Sequence, residues 1–314
     1  MILTPKAIEK VKEIKKVDLL VGIPSYNSEN TIGHVLKAVR LGLTKYFPKL
    51  KSIIVNSDSG SSDNTRKIVR RSMKDYKGLE TILIAHEMHP YMRSLHTPIS
   101  EMVTTFRGTP GKGKAFRRIF EVAHALKAKA VVVVDSDLRS ITPEWIQLLA
   151  GPILFKKFDY VTPLYSRHKY DGTITNSLIY PLTRALYGIK IRQPIGGEFG
   201  FSAKILSHYM EKDIWDTDVA YYGIDIWMTT IAIARRFKVC QTFLGSPKTH
   251  RTKDPAKDLG PMFKQVIMTL FDLMIDFEYF WKDTSASLPS SIFGFGLGVD
   301  EKPPDVHVNK DALY

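Results

Sequence analysis

Asp135-Ser136-Asp137 stands directly behind the run Ala130-Val131-Val132-Val133-Val134. Two carboxylates one residue apart repel each other until a cation neutralises them. Hard oxygen donors suit Mg2+ or Mn2+, which keep open positions for phosphate oxygens. The letters also fit a helix cap ahead of Thr142-Pro143-Glu144-Trp145, but the place of the pair, just past an apolar strand, favours the metal. Gly108-Thr109-Pro110-Gly111-Lys112-Gly113-Lys114 is the second candidate. Glycines around a lysine at a helix start expose backbone N–H groups and bring a cation to the helix's positive end, which together hold an anion. A flexible turn is the plainer alternative, and the spacing is not that of a P-loop, which argues against triphosphate hydrolysis. In Arg192-Gln193-Pro194-Ile195-Gly196-Gly197-Glu198-Phe199-Gly200, two glycines before a carboxylate permit close backbone approach to a ligand, or simply a β-turn. Tyr222-Gly223-Ile224-Asp225 and Pro247-Lys248-Thr249-His250-Arg251, taken alone, read as a capping Asp and a structural His.

These residues need a scaffold, and the composition supplies one. The 314 residues are 44% apolar and 25% charged, enough for a sizeable core. A single cysteine, Cys240, excludes an internal disulfide framework or a cysteine-based zinc site and suits a reducing, cytoplasmic setting. No stretch approaches the roughly 20 apolar residues of a membrane span, and the Lys- and Glu-rich start does not read as a signal peptide. Forty-five Lys+Arg against 32 Asp+Glu give a net charge of +13. Without long basic runs or basic–aromatic motifs, this surplus points away from nucleic acid. Apart from a solvated surface, its use is a cleft that focuses field on small anions such as nucleotide phosphates or carboxylates.

Val17–Pro24, Ser52–Asn56, Glu80–Ala85 and Ala130–Val134 read as buried strands, alternating with helical periodicity over Thr31–Leu43, from Thr65 and over Lys114–Lys127. This alternation predicts a mostly parallel α/β sheet covered on both faces, with polar loops at the carboxyl ends of the strands, where such sheets bind ligands. Beyond Asp137 the pattern is mixed. Helices are expected over 142–150, 223–236 and about 261–282, and a Ser-, Pro- and Gly-rich extended tail over 285–314.

The order of motifs is similar to one family. Gly22-Ile23-Pro24-Ser25-Tyr26-Asn27, Asp58-Ser59-Gly60-Ser61-Ser62-Asp63 and Asp135-Ser136-Asp137 resemble nucleotide-sugar glycosyltransferases of the GT-A fold. Pro110-Gly111-Lys112-Gly113, Thr142-Pro143-Glu144-Trp145-Ile146, Gln193-Pro194-Ile195-Gly196-Gly197-Glu198, Tyr222-Gly223-Ile224-Asp225 and Lys248-Thr249-His250-Arg251 narrow this to the retaining mannosylglycerate, glucosylglycerate and glucosyl-3-phosphoglycerate synthases. The resemblance covers about residues 17–255. It implies one GT-A domain, with a nucleotide-sugar half over 17–137 and an acceptor half over 138–284.

It also implies roles. Pro24, Tyr26, Asn27 and Ser28 would line the nucleotide, Asp58 or Ser59 would reach the base, and Gly111 and Lys112 would meet the donor phosphates. Asp135 and Ser136 would hold the ribose or a metal-bound water. Asp137 and His250, with Asp135 beside them, would bind Mg2+ or Mn2+. Glu198, Asp225 and Lys112 form the implied catalytic set, with Glu198 and Asp225 on sugar and acceptor hydroxyls. Arg167 would fork onto the acceptor carboxylate, with Gly172, Thr173, Thr175 and Gly197 nearby. Thr173 stands where the phosphoglycerate branch carries an arginine, which favours unphosphorylated glycerate; Lys169, Lys190 and Arg192 are alternative phosphate partners. The expected function is metal-dependent transfer of glucose or mannose, with retention, from a UDP- or GDP-sugar to D-glycerate or 3-phosphoglycerate. The rivals are a polyprenyl-phosphate glycosyltransferase and a non-catalytic nucleotide-sugar binder. The aromatic helix near 264–281 is the candidate face for a homodimer.

Overall fold

The computed structural model describes residues 5–74, 80–85, 111–165, 172–245, 248–250 and 259–294. One eight-stranded sheet runs in the order β10-β8-β5-β7-β4-β1-β2-β3. Its first half is built from β1 (Leu19–Ser25), β2 (Ser52–Asp58), β3 (Glu80–Ala85) and β4 (Ala130–Val133), all mutually parallel. Each residue of β1, β2 and β4 is buried, as apolar runs covered on both faces require. Chain order reverses at β1, which pairs β2 on one side and β4 on the other. That reversal opens a crevice beyond the carboxyl ends of β1 and β4.

Helices α1 (Pro5–Ile14) and α4 (Lys112–Ala125) pack on one face of the sheet. On the other lie α2 (Ile32–Tyr46), α3 (Thr65–Lys74) and α5 (Pro143–Lys156). The α2 stripe Ile32, Val35, Leu36, Val39 and Leu43 is buried as its spacing demands. Helix α5 runs past the expected 150 to Lys156 and stops where Lys157 turns left-handed at φ 57°.

The second half departs from a purely parallel sheet. β5 (Tyr160–Leu164) and β8 (Val239–Phe243) are parallel to each other, but β7 (Phe199–Ser202) inserts antiparallel between β4 and β5. A π-turn at Thr175–Ile179 leads into α6 (Tyr180–Tyr187), and β6 (Ile189–Lys190) follows it. Helix α7 (Ala203–Met210) and a 3-10 turn at Asp218–Ala220 precede α8 (Ile224–Ala234), every residue of which is buried. Helix α9 (Gly260–Asp276) and the short α10 (Glu278–Trp281) come last.

The expected tail is partly structured. β9 (Leu288–Pro289) pairs with β6, and β10 (Ser291–Phe293) adds an edge strand beside β8. Gln241 Nε2 donates to Ser290 Oγ at 2.8 Å, and Phe293 meets Phe158 edge-on at 5.2 Å, so side-chain anchors override the weak local strand signal. Residues 295–314 lie outside the described ones.

Candidate active site at the carboxyl edge of the sheet

The loops after β1 and β2 are stitched by short polar side chains. Asp58 is fully buried, and its Oδ1 accepts from the backbone N–H groups of Gly60 (3.1 Å) and Ser61 (2.9 Å). Ser25 Oγ donates to Asp58 Oδ2 at 3.2 Å, and Arg66 Nε lies 3.8 Å from Oδ1. Asp58 therefore shapes the turn that carries Ser59. Asn27 takes a left-handed φ of 46°, and its Oδ1 accepts from Ser62 N at 2.9 Å. Ser28 Oγ and Ser136 Oγ share a 2.8 Å hydrogen bond that ties the β1 loop to the β4 loop across the crevice. Pro24 lies within β1 opposite Ser57, and Tyr26, 38% exposed, follows the strand.

The β4 loop turns to charge. Lys112 opens α4, and its Nζ lies 3.0 Å from Asp135 Oδ1 and 2.8 Å from Asp225 Oδ2. Lys248 Nζ lies 3.2 Å from Asp135 Oδ2, 2.7 Å from Glu198 Oε1 and 2.7 Å from the Gly196 carbonyl. The result is an alternating chain, Asp225–Lys112–Asp135–Lys248–Glu198, drawn from α4, α8, the residue before β7 and the segments after β4 and β8. Tyr165 divides its hydroxyl proton between the Gly196 carbonyl (2.9 Å) and Glu198 Oε2 (3.1 Å). Burial works against charge on Lys112, but Asp135 and Asp225 more than reverse it and hold the ammonium protonated well above its ordinary range. Burial raises Glu198 to about 7 against the pull of Lys248, and raises Asp225 against that of Lys112.

Gly111 and Gly113 serve differently from the exposed N–H reading. A Cβ on either would run into the backbone of Val219–Ala220, and the Gly113 N–H donates to the Tyr221 carbonyl at 3.0 Å. These glycines let the start of α4 press against the turn before α8, which brings Lys112 to Asp225. Gly197, at φ 93°, is equally constrained, because a Cβ there would strike Asp135 Oδ2.

Asp135 and Asp137 thus part company. Both Asp135 oxygens face lysines, Oδ1 toward Lys112 and Oδ2 toward Lys248. The 248–250 segment runs antiparallel beside the β4 loop, with Arg139 N donating to the Thr249 carbonyl at 2.9 Å and Leu138 bridging His250. His250 is therefore apposed to the residue next to Asp137. Among the described residues no ion pair involves Asp137, and no three His, Cys, Asp or Glu side chains form a ready cage. One carboxylate and one imidazole fit a Mg2+ or Mn2+ ion whose remaining ligands come from substrate phosphates and water.

Glu198 is fully buried, with Oε1 on Lys248 and Oε2 on the Tyr165 hydroxyl. Asp225 differs: it is buried, yet among the described residues its Oδ1 has no hydrogen-bond partner. An orphaned carboxylate oxygen at the crevice is an acceptor for hydroxyl donors. On the acceptor side Thr175 is buried within the π-turn, Thr173 is exposed, and Gly172 has φ 69° with its carbonyl accepting from Asn176 N. Arg192 donates to Asn176 Oδ1 at 2.9 Å and stacks on Tyr180, while Arg167 and Lys169 lie outside the described residues. Sequence reasoning gave Tyr165 and Lys248 no role. Lys248 belongs to a quoted motif, but a lysine after a strand ordinarily faces water, and only its 5% exposure reveals its part.

No family model matches the chain. The glucosyl-3-phosphoglycerate synthase of Petrotoga mobilis is 28% identical over 213 residues, or 64% of this chain and 58% of that protein's length. The crystal structure of the glucosyl-3-phosphoglycerate synthase from Mycobacterium tuberculosis with Mn2+, UDP and glucosyl-3-phosphoglycerate superposes with a TM-score of 0.58 at 24% identity, covering 84% of this chain and 83% of that one. Its complex with Mg2+ and UDP gives 0.57 at the same identity and coverage. The fold is the GT-A fold. In this GT-A frame the crevice between β1 and β4 and the lysine–carboxylate chain share one edge of the sheet. Among the described residues no helix is long and apolar enough to cross a membrane.

Proposed function

We propose that this protein is a divalent-metal-dependent glucosyltransferase that moves glucose, with retention, from UDP-glucose to 3-phosphoglycerate or D-glycerate. The observation that carries the reading is the placement of Lys112. At the start of α4 it joins Asp135 to Asp225, at the same sheet edge as the acidic loop whose Leu138, the residue after Asp137, bridges His250. The Petrotoga and Mycobacterium proteins support it, the latter having been crystallised with Mn2+, UDP-glucose and phosphoglyceric acid. Those complexes favour glucose over mannose and uridine over guanosine. Residues 17–137 would serve the donor and 138–284 the acceptor.

Asp137 and His250 would hold the Mg2+ or Mn2+ ion. When bound, the ion supplies Lewis-acid neutralisation of the charge on the departing diphosphate. An ammonium has three N–H donors. Lys112 directs two at Asp225 and Asp135, and its third is aimed at a donor phosphate oxygen. The orphaned Asp225 Oδ1 accepts a hydroxyl of the sugar or acceptor and orients it over the reacting carbon. In retention the acceptor oxygen bonds to the anomeric carbon on the face the diphosphate leaves, and its proton passes to the leaving phosphate oxygen. These fixed charges need no reorganisation during reaction, which is how such sites lower a barrier.

A matrix of UDP-glucose, GDP-glucose and GDP-mannose against 3-phosphoglycerate and D-glycerate, with Mg2+ or Mn2+, tests the reading through nucleoside diphosphate release. UDP-glucose is expected to be the donor. Turnover in no cell of the matrix, or full activity of Asp137→Ala, would overturn it. The Thr173 position favours D-glycerate as the better acceptor, whereas the two relatives favour its phosphate, and the matrix decides between them. A homodimer across α9 belongs to the same proposal. Met268, Phe271 and Ile275 are exposed along that helix, on the side away from buried Val266, Thr269, Leu270 and Leu273. Sedimentation velocity of wild type and Phe271→Lys checks it, since the variant should run as a monomer.

A further inference from the structure

Lys248 and Lys112 share Asp135 but differ in their remaining contacts. All three N–H donors of Lys248 have acceptors at good distance: Asp135 Oδ2 at 3.2 Å, Glu198 Oε1 at 2.7 Å and the Gly196 carbonyl at 2.7 Å. Lys248 is only 5% exposed, and its ammonium cannot turn to a ligand without abandoning a buried carboxylate. Lys112 has two carboxylate partners, and its third donor is uncommitted among the described residues. One lysine is saturated and the other is poised.

We propose that Lys248 is a positioning residue, which fixes the Asp135 carboxylate so that Asp135 in turn holds Lys112 toward the donor diphosphate. Three features make this arrangement rigid. Glu198 and Tyr165 pin Lys248 from below, and both are buried. The Gly196 carbonyl holds it from the side, through the turn whose next residue is left-handed Gly197. Gly197 also leaves room for Asp135 Oδ2 at the one place where any side chain would displace it. With Oδ2 fixed to Lys248, Oδ1 has a single direction left, toward Lys112. Without Lys248, Asp135 and Glu198 lose the cation between them, and Asp135 is free to rotate off Lys112.

The inference rests on the glucosyltransferase reading for its kinetic consequence but not for its structural one. Two roles of Lys248 can be separated, since the partner that stabilises it (Glu198) differs from the partner it positions (Asp135). Lys248→Met should lower Tm and reduce kcat about 100-fold, the loss typical of a reacting group misplaced by about 1 Å, with KM for UDP-glucose changing less than about 3-fold. Glu198→Gln added to Lys248→Met should recover much of the Tm by removing the buried unpaired carboxylate, yet leave kcat as low as in the single variant. Lys248→Arg, which keeps the charge, should restore kcat to within about 10-fold of wild type. Recovery of kcat together with Tm in the double variant would overturn the proposal, because Lys248 would then be purely structural. Crystal structures of wild type and Lys248→Met give a readout independent of turnover: Asp135 should leave Lys112 in the variant. An unchanged Asp135 would also overturn the proposal. Wild-type inactivity throughout the substrate matrix would instead overturn the glucosyltransferase reading, and the crystal structures would still decide the role of Lys248. If Lys248→Met does not fold, the double variant carries the same comparison.

Discussion

The loops after β1 and β2 and the lysine–carboxylate chain beyond β4 lie at the same sheet edge but are held by different physics. The first region is closed by neutral or singly charged short side chains over about 30 residues of sequence: Ser25 to Asp58, Asn27 to Ser62, Ser28 to Thr65. Each such hydrogen bond contributes about 1 kcal/mol net, and losing one leaves its neighbours in place. The second is drawn from positions as far apart as Lys112 and Asp225, and its groups are buried charges that are tolerable only while paired. The first region is therefore expected to tolerate truncation, while the second is not. The difference separates a cradle of local hydrogen bonds from a network of mutually dependent buried charges.

The strongest test of that contrast is Lys112→Ala. It removes the poised donor and leaves Asp135 and Asp225 buried without it, so kcat/KM for UDP-glucose should fall about 10²–10³-fold. Asn27→Ala, in the hydrogen-bonded region, should change it less than about 10-fold. Steady-state kinetics of the two variants checks both, and equal losses would erase the distinction. Next in size is Gly197→Ala. The left-handed φ of 93° and the clash with Asp135 Oδ2 act together. A loss of about 2–4 kcal/mol in urea unfolding is expected, against about 1–2 kcal/mol at Gly60, which also has positive φ but open space around it.

The same contrast explains what the sequence discloses. Apolar runs separated by helical periodicity place β1 to β4 and the crevice, because each element is specified by its own residues. The polar turn Asp58–Asp63 is likewise legible as a turn, since its bonds are local. β7 is not, because Phe199–Ser202 is antiparallel only through its partners Val131 and Tyr160, which lie far away in sequence. Lys248, Tyr165 and the burial of Glu198 are hidden for the same reason: a charge is known to be buried only when its partners are in place. The acidic pair reads as one unit in the sequence, whereas its surroundings differ: the segment carrying His250 aligns with Leu138, and the two lysines meet Asp135. Gly111 and Gly113 were read for their N–H groups, whereas the packing against Val219–Ala220 that actually requires them is non-local.

A pH titration sharpens the picture of the charged region. Burial lifts Glu198 from 4.5 to about 7, so between those values the folded chain keeps a proton that the unfolded chain releases. The stability this group contributes is complete below about pH 4.5 and lost as pH rises through about 7. Glu198→Gln has no proton to lose. The Tm of wild type minus that of Glu198→Gln should therefore increase by a few degrees from about pH 8 to about pH 5. A flat difference would mean that the carboxylate stays charged throughout and that Lys248 outweighs burial.

The smallest effect probes the hydroxyl pair that joins the β1 loop to the acidic loop. Ser28 Oγ and Ser136 Oγ lie 2.8 Å apart, and both residues are buried. Ser136 is also held through its carbonyl, which accepts from Thr31 Oγ1 at 2.8 Å, so the backbone of the acidic loop does not depend on the hydroxyl pair. Either single alanine variant should lose about 1 kcal/mol by leaving its partner hydroxyl underused. The double variant should lose less than the sum, giving a coupling of about 0.5–1 kcal/mol in a double-mutant cycle on urea unfolding. Activity should fall no more than a few-fold in any of the three. Because Asp135 and Asp137 flank Ser136, a drop approaching that of Lys112→Ala would show that the hydroxyl bridge, and not the lysine pairing, orients the acidic loop, and the division between the two regions would have to be redrawn.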